Sequence, residues 1–214
     1  MFKNEHLRSV PYVQKGEDCM NLDVLDDVKK KALEEHVPII MDDTLDVIRE
    51  YLEERKPKRI LEIGTAVGYS ASQFVRFSGE EAKVDTIELD EERAKIAIEN
   101  IKDIGLEENI HVMIGNAVEI LPTLTGPYDV VFIDANKGKY PVFLAEALRM
   151  SKKGTIIFAD NVLYKGYVLS DYNKHKQRTA VRHLREYIAD IMSNEGLDTQ
   201  ISTVGDGLAI SIVK

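Results

Sequence analysis

Cysteine is almost absent from this chain. Cys19 is the one thiol in 214 residues, so no internal disulfide can form and no zinc–cysteine cluster can be built, which fits a reducing, cytoplasmic setting. Long apolar runs are missing as well. No stretch approaches the roughly 20 residues that cross a bilayer, and the first residues lack the apolar core of an export signal, so a soluble, unexported protein is expected. Cations are outnumbered, 28 Lys and Arg against 37 Asp and Glu, for a formal net charge of −9. That excludes a surface covered throughout with phosphate-binding groups but leaves room for a local basic patch. With only 6 Pro and 13 Gly, collagen-like and low-complexity chains are excluded too.

What is present is a globular composition, 44% hydrophobic and 30% charged, long enough for a domain with its own core. From residue 60 onward short β-branched runs alternate with helical patterns, the signature of a parallel sheet with helices on its faces. Strands are predicted at 59–63, 83–89, 109–114, 128–134 and 154–160. Residues 90–105 carry Ala94, Ile98, Ile101 and Ile104 at helical spacing, predicting a crossover helix with one buried stripe. Further crossovers are expected at 70–78 and 142–150, with a shorter one after Asn116. Residues 200–205 and 208–213, joined through Gly205-Asp206-Gly207, read as an antiparallel hairpin closing one sheet edge. Ahead of the sheet, 21–55 reads as two helices broken at Val37-Pro38. Their apolar residues, Leu22, Val24, Leu25 and Val28 in the first and Leu45, Val47, Ile48, Tyr51 and Leu52 in the second, need a surface to cover, on this domain or on a second subunit.

The densest signal is Leu61-Glu62-Ile63-Gly64-Thr65-Ala66-Val67-Gly68-Tyr69-Ser70, where a strand ends and a helix begins. Gly64 and Gly68 allow a tight turn and close approach to a ligand, and the helix start offers free N–H groups. A dinucleotide fingerprint would place glycine where Glu62 stands. A carboxylate there repels a pyrophosphate but attracts an ammonium, which points to S-adenosylmethionine. Glu88, at the end of the next strand, is placed to accept the ribose hydroxyls, and Asn116-Ala117 ends the third strand where an amide could read adenine. Two more strands end in acids, at Asp134 and at Asp160-Asn161. If those strands are neighbours, about 4.8 Å apart, three oxygens converge, and an all-oxygen set favours Mg²⁺ or another hard divalent cation. Strand-end acids also cap helices. Lys137, on the loop above, reads equally as an exposed lysine at a helix start or as a base, since two like charges beside it would favour its free amine.

Together with Val204-Gly205-Asp206-Gly207-Leu208-Ala209-Ile210, these motifs resemble the cation-dependent O-methyltransferases, the group of the catechol and caffeoyl-CoA enzymes, over about residues 35–214. Within it, 56–66, 160–166 and 170–172 are most similar to the bacterial tRNA 5-hydroxyuridine methyltransferases, which make 5-methoxyuridine at the wobble position. The resemblance implies an α/β, Rossmann-like class I methyltransferase. Its mostly parallel seven-stranded sheet would have a C-terminal antiparallel hairpin, with 1–55 as an N-terminal helical extension of the domain at 56–214. It implies that Asp134, Asp160 and Asn161 hold the metal, that Lys137 and Asp134 are catalytic, and that Glu62, Ser70, Glu88, Asn116, Ala117 and Asp134 hold the cofactor. Gly64, Thr65 and Gly68 belong to the same turn. Residues 37–41 resemble a segment covering the methionine end, through Met41 or Ile40. Asn116 stands where many relatives have Asp. A homodimer is implied as well.

The substrate divides the readings. Catechols and 5-hydroxyuridine both offer two neighbouring oxygens, whereas only an RNA loop needs phosphate contacts. Six Lys or Arg lie between 165 and 185 against one acid, Asp171, and Lys165, Lys174, Lys176, Arg178 and Arg182 are the candidate RNA contacts at the tRNA anticodon loop. A basic helix face is also commonly just a solvated one, and a non-catalytic cofactor-sensing or RNA-scaffolding module is the remaining alternative.

Overall fold

Short runs of Val, Ile and Leu that are apolar on both faces can be buried only between two layers, and the computed structural model of the chain has that arrangement. It describes residues 20–170 and 177–214. The elements run α1 (Leu22–Glu34), α2 (Asp42–Arg55), β1 (Arg59–Ile63), α3 (Tyr69–Ser78), β2 (Lys83–Glu88), α4 (Glu91–Ile104), β3 (Ile110–Ile114) and α5 (Ala117–Ile120). They continue β4 (Val130–Ile133), α6 (Tyr140–Arg149), β5 (Ile156–Ala159), α7 (Arg178–Ser193), β6 (Leu197–Ser202) and β7 (Leu208–Val213). The seven strands order as β3-β2-β1-β4-β5-β7-β6. The pairs among β1 to β5 are parallel and β7 is antiparallel to both neighbours.

Alternation along the strands divides the core. Ile60, Val84, Val130, Phe132, Ile156 and Phe158 meet Leu25 and Val28 of α1, Leu45, Ile48 and Leu52 of α2, Phe74 of α3 and Ile101 of α4. Leu61, Ile63, Val131, Ile133 and Ile157 meet Phe143 and Leu144 of α6 and Leu184, Tyr187 and Ile191 of α7. The two front helices therefore cover this chain's own sheet. Asn21 caps α1 through Val24 N and donates its own N–H to the Ile104 carbonyl, tying α1 to α4.

Beyond shifts of one or two residues at element ends, three features differ from the sequence reading. In α4 the buried stripe is Ala94, Ala97, Ile101 and Ile104, while Ile98 is 44% exposed. The spacing i, i+3, i+7, i+10 follows the 3.6-residue period, and Ile98 falls on its flank. β6 starts at Leu197, three residues earlier than expected, and 203–207 form the turn; Gly205 has φ +54° and donates its N–H to Asp43 Oδ2 (3.0 Å) instead of to the ladder. Finally, α7 is sixteen residues long, where the sequence reading saw a basic helix face without bounds. β2 lies on one side of β1 and β4 on the other. At that reversal the chain leaves the sheet in opposite directions and opens a crevice at the strands' carboxyl ends.

Candidate active site

The crevice is a cavity of about 610 Å³. Its floor is the turn after β1, where Gly64 (φ +111°) donates its N–H to the Ile87 carbonyl (3.0 Å) and a Cβ would lie 2.1 Å from the Asp134 carbonyl oxygen. Only glycine allows β1 and β4 to close so tightly. Ile40, Met41, Gly64, Thr65, Ser70, Glu88, Asn116, Ala117, Asp134, Lys137, Asp160 and Asn161 all line the cavity. Glu62 and Gly68 do not. Gly68 (φ +82°) starts α3 with its α-carbon against Ile101, so it shapes the turn from behind.

Glu62 is fully buried beneath the turn, contrary to the expectation that its carboxylate faces a ligand directly. Position 62 points to the same face as Ile60, into the layer under α3, where Ser70 Oγ donates to Oε1 (2.5 Å) and Thr86 Oγ1 to Oε2 (2.6 Å). Thr65 Oγ1 lies 2.7 Å from Thr86 Oγ1; with the Thr86 proton committed to Glu62, Thr65 is the donor. Burial pushes the Glu62 carboxyl up to about 8 against the pull of the two hydroxyls, and Asp134 and Glu88 add to the rise. Ser70, whose hydroxyl proton points to Glu62, turns its free lone pairs to the cavity. Thr86 was missed in the sequence, although it sits two residues before Glu88 and pairs with Glu62 in register. Glu88 is fixed as an acceptor by Ala66 N (2.9 Å) and Asp90 N (3.0 Å). Asn116 caps α5 through Val118 N (3.1 Å).

The register Ile133↔Ala159 brings the next residues, Asp134 and Asp160, to adjacent strand tips. Asn161 follows in left-handed backbone (φ +54°), a conformation asparagine tolerates, and its N–H donates to Asp160 Oδ1 (2.7 Å). The buried Tyr140 hydroxyl donates to the Asp160 carbonyl (2.8 Å), pinning the tip to α6. Lys137 Nζ donates to Asn161 Oδ1 (2.9 Å) and stands 4.0 Å from Asp134 Oδ1. Burial, and then the Asp134 charge, raise the Asp160 carboxyl to about 7. Burial raises that of Asp134 and the Lys137 charge pulls it back. A buried acid, a half-buried acid and an amide oxygen fit a hard divalent cation: the donors are all oxygen, and an ammonium already stands against Asn161 and near Asp134.

Exposed cations follow β5 along the chain. Lys165 and Arg178 are exposed, and Arg182 is 65% exposed and lies 3.6 Å from Glu186. None of the three lines the cavity. α7 packs on the 137–139 turn, with His183 Nδ1 over Gly138. Arg185 points inward, donating to the carbonyls of Val168 (3.1 Å) and Ser170 (2.5 Å), and so leaves the patch. Lys174 and Lys176 lie outside the described residues.

Comparison with known proteins agrees with this cavity. The sequence model of the O-methyltransferase family matches residues 18–214. The catechol O-methyltransferase of Niastella koreensis is 38% identical over 166 residues, covering 73% of this chain and 74% of that protein. That of Mycobacterium tuberculosis is 34% identical over 163 residues, 73% and 72% of the two chains. Among solved structures, the O-methyltransferase from Bacillus cereus in complex with S-adenosylhomocysteine superposes with a TM-score of 0.81 at 27% identity, over 94% of each chain. The chain accordingly belongs to the O-methyltransferase family, and it is an S-adenosylmethionine-dependent O-methyltransferase.

Proposed function

We propose that the chain methylates 5-hydroxyuridine at the tRNA wobble position to 5-methoxyuridine, with Mg²⁺ or another hard divalent cation held by Asp134, Asp160 and Asn161. The observation that carries the RNA reading is the exposed cations Lys165, on the loop after the Asp160-Asn161 tip, and Arg178 and Arg182, in the first turns of α7, in a chain of net charge −9. Tyr164 and Tyr167, edge-on at 5.6 Å on the same loop, offer ring faces for an unpaired base. A second reading, methylation of a small catechol, is favoured by the 38% identity to a catechol O-methyltransferase. A cytoplasmic homodimer is part of the proposal. Leu169 and Met192, both exposed, supply apolar surface for the dimer, and no helix among the described residues is long and apolar enough to cross a membrane.

Methyl transfer from a sulfonium is an in-line displacement, so the protein's main task is alignment. When bound, a hard divalent cation supplies a Lewis acid that orients two neighbouring substrate oxygens and acidifies the hydroxyl. Ile40 and Met41 cover the methionine end, Ser70 accepts from its ammonium with Glu62 behind it, and Glu88 accepts from the ribose. As the free amine, Lys137 takes the hydroxyl proton at Nζ, and Asp134 stabilises the ammonium so formed.

Glu62→Gln separates cofactor attraction from folding. In cofactor-free protein the Glu62 carboxyl is raised from 4.5 to about 8, so its neutral form is the one the fold favours. The stability this gives is complete below 4.5 and is lost as pH rises through about 8. The uncharged variant is expected to be more stable than wild type at pH 8, by about 1–3 kcal/mol in chemical denaturation, with no difference at pH 4. Calorimetry with S-adenosylhomocysteine is expected to show roughly tenfold weaker binding.

Two assays test the substrate: methyl transfer to tRNA lacking only the final methyl, and to a catechol. Transfer to catechol alone, with unchanged tRNA nucleosides by mass spectrometry in cells without the gene, would replace the RNA reading. Changing Lys165, Arg178 and Arg182 together to Glu is expected to weaken tRNA binding at least about tenfold and to cut the salt slope by about three. An unaltered slope would remove this patch from the RNA contact.

A further inference from the structure

The ammonium of Lys137 stands among the oxygens that a cation would use. It donates to Asn161 Oδ1 at 2.9 Å and lies 4.0 Å from Asp134 Oδ1, with its side chain only 18% exposed. The ring faces of Tyr140 (6.0 Å) and Tyr164 (5.8 Å) flank it. Its backbone sits on a three-residue 3₁₀ turn, capped by Asn136 Oδ1 accepting from Gly138 N (3.0 Å). A fixed turn carrying a four-carbon stem between two rings lets the head group move without moving the loop. Asp160 is buried and Asp134 is half-buried, with its side chain 31% exposed, at adjacent strand tips, and an amide oxygen completes the set. Without a compensating charge such a group is costly to bury.

We infer that Lys137 is the resident cation of this corner: its ammonium holds Asn161 and Asp134 until a divalent cation displaces it, so that ion binding and release of the lysine toward the substrate are a single exchange. The inference rests on the reading of Asp134, Asp160 and Asn161 as the metal ligands. Its physical basis is Coulombic. A divalent ion on Asn161 Oδ1 would share that oxygen with a third positive charge at hydrogen-bonding distance (2.9 Å), with Asp134 Oδ1 4.0 Å from the same ammonium, and a site of limited solvent access screens that repulsion poorly. The exchange gives the lysine two positions with two duties. Docked on Asn161 it stabilises the metal-free fold and is engaged as a donor. Displaced, it no longer donates to Asn161 and leaves that oxygen to the ion.

The test is Mn²⁺ binding by titration calorimetry to cofactor-free wild type, Lys137→Met, Lys137→Arg and Lys139→Met. Lys139 also lines the cavity and reports the general field of a nearby charge. Lys137→Met is expected to bind Mn²⁺ about tenfold more tightly than wild type. Lys137→Arg, which keeps the competing charge, is expected to bind no more tightly, and Lys139→Met to stay within about twofold. Equal tightening in Lys137→Met and Lys139→Met would reduce the effect to bulk field and overturn the exchange, as would unchanged or weaker binding in Lys137→Met. A second readout is melting temperature. After chelator treatment Lys137→Met is expected to melt below wild type, and saturating Mn²⁺ to close the gap; a gap that persists at saturation means that the lysine is merely structural. Failure of every protein, wild type included, to bind Mn²⁺ would remove the metal reading and the exchange together. Equal binding by wild type and Lys137→Met would remove the exchange alone.

Discussion

Gly64→Ala is expected to abolish S-adenosylhomocysteine binding and to lower stability by about 2–5 kcal/mol. Two costs act at one atom. The backbone is at φ +111°, which an L side chain rarely adopts, and the new Cβ would lie 2.1 Å from the Asp134 carbonyl oxygen and 3.0 Å from its carbon. Neither neighbour can yield cheaply. Gly64 N donates to the Ile87 carbonyl, and Asp134 N donates to the Ile63 carbonyl, each at 3.0 Å, so relief requires parting β1 from β4 at the floor of the cavity. Gly79→Ala provides the control: φ is similar at +104°, yet nothing lies within 4 Å of the added carbon. It is expected to cost only about 1 kcal/mol and to leave cofactor binding intact. Chemical denaturation and calorimetry check both variants. Equal effects would mean that backbone conformation alone, without the clash against Asp134, governs the turn.

The same crowding explains what could be read from the residues and what could not. A strand that ends in an acid after four apolar residues is visible in a sequence, as at Val130–Asp134 and Ile156–Asp160. Parallel neighbours in register then place such ends together, and β4 and β5 are neighbours. Glu62 was harder. Its attraction for an ammonium was argued from residue type, but which way it points depends on strand alternation, and what it meets depends on β2 lying beside β1, which brings Thr86 opposite. Sheet order is a tertiary fact, and no local pattern contains it. Arg185, counted among the six cations but not named as an RNA contact, shows the same dependence on the fold. A charge count treats every arginine as available, whereas this one is taken up by carbonyls at 168 and 170 that only the folded loop turns inward. In α7 the signal was present: Val181, Leu184, Tyr187 and Ile191 recur at helical spacing and are buried, but the density of charge drew attention from the stripe beneath it.

Asp160→Ala is expected to lower turnover at least about a thousandfold while changing S-adenosylhomocysteine affinity less than about threefold. The two effects separate because the residues assigned to the cofactor rest on other elements. Ile40, Ser70, Glu88, Asn116 and Ala117 come from the segment before α2, from the start of α3, from the end of β2 and from the start of α5 after β3, whereas Asp160 follows β5. Asp160→Asn adds a measurement in which no cavity is made. In chelated buffer the wild-type carboxyl is raised from 3.8 to about 7 by burial and by Asp134. The fold therefore favours its protonated form, and the associated stability is complete below 3.8 and is lost as pH rises through about 7. The amide does not ionise, so Asp160→Asn is expected to melt above wild type at pH 8 and to match it at pH 3.8 or below. Added Mg²⁺ is expected to invert the order at pH 8, since an ion rewards the charged carboxylate and does little for the amide. A less active variant whose melting order Mg²⁺ leaves untouched would assign Asp160 a purely structural part at the strand tip and take the cation away from it.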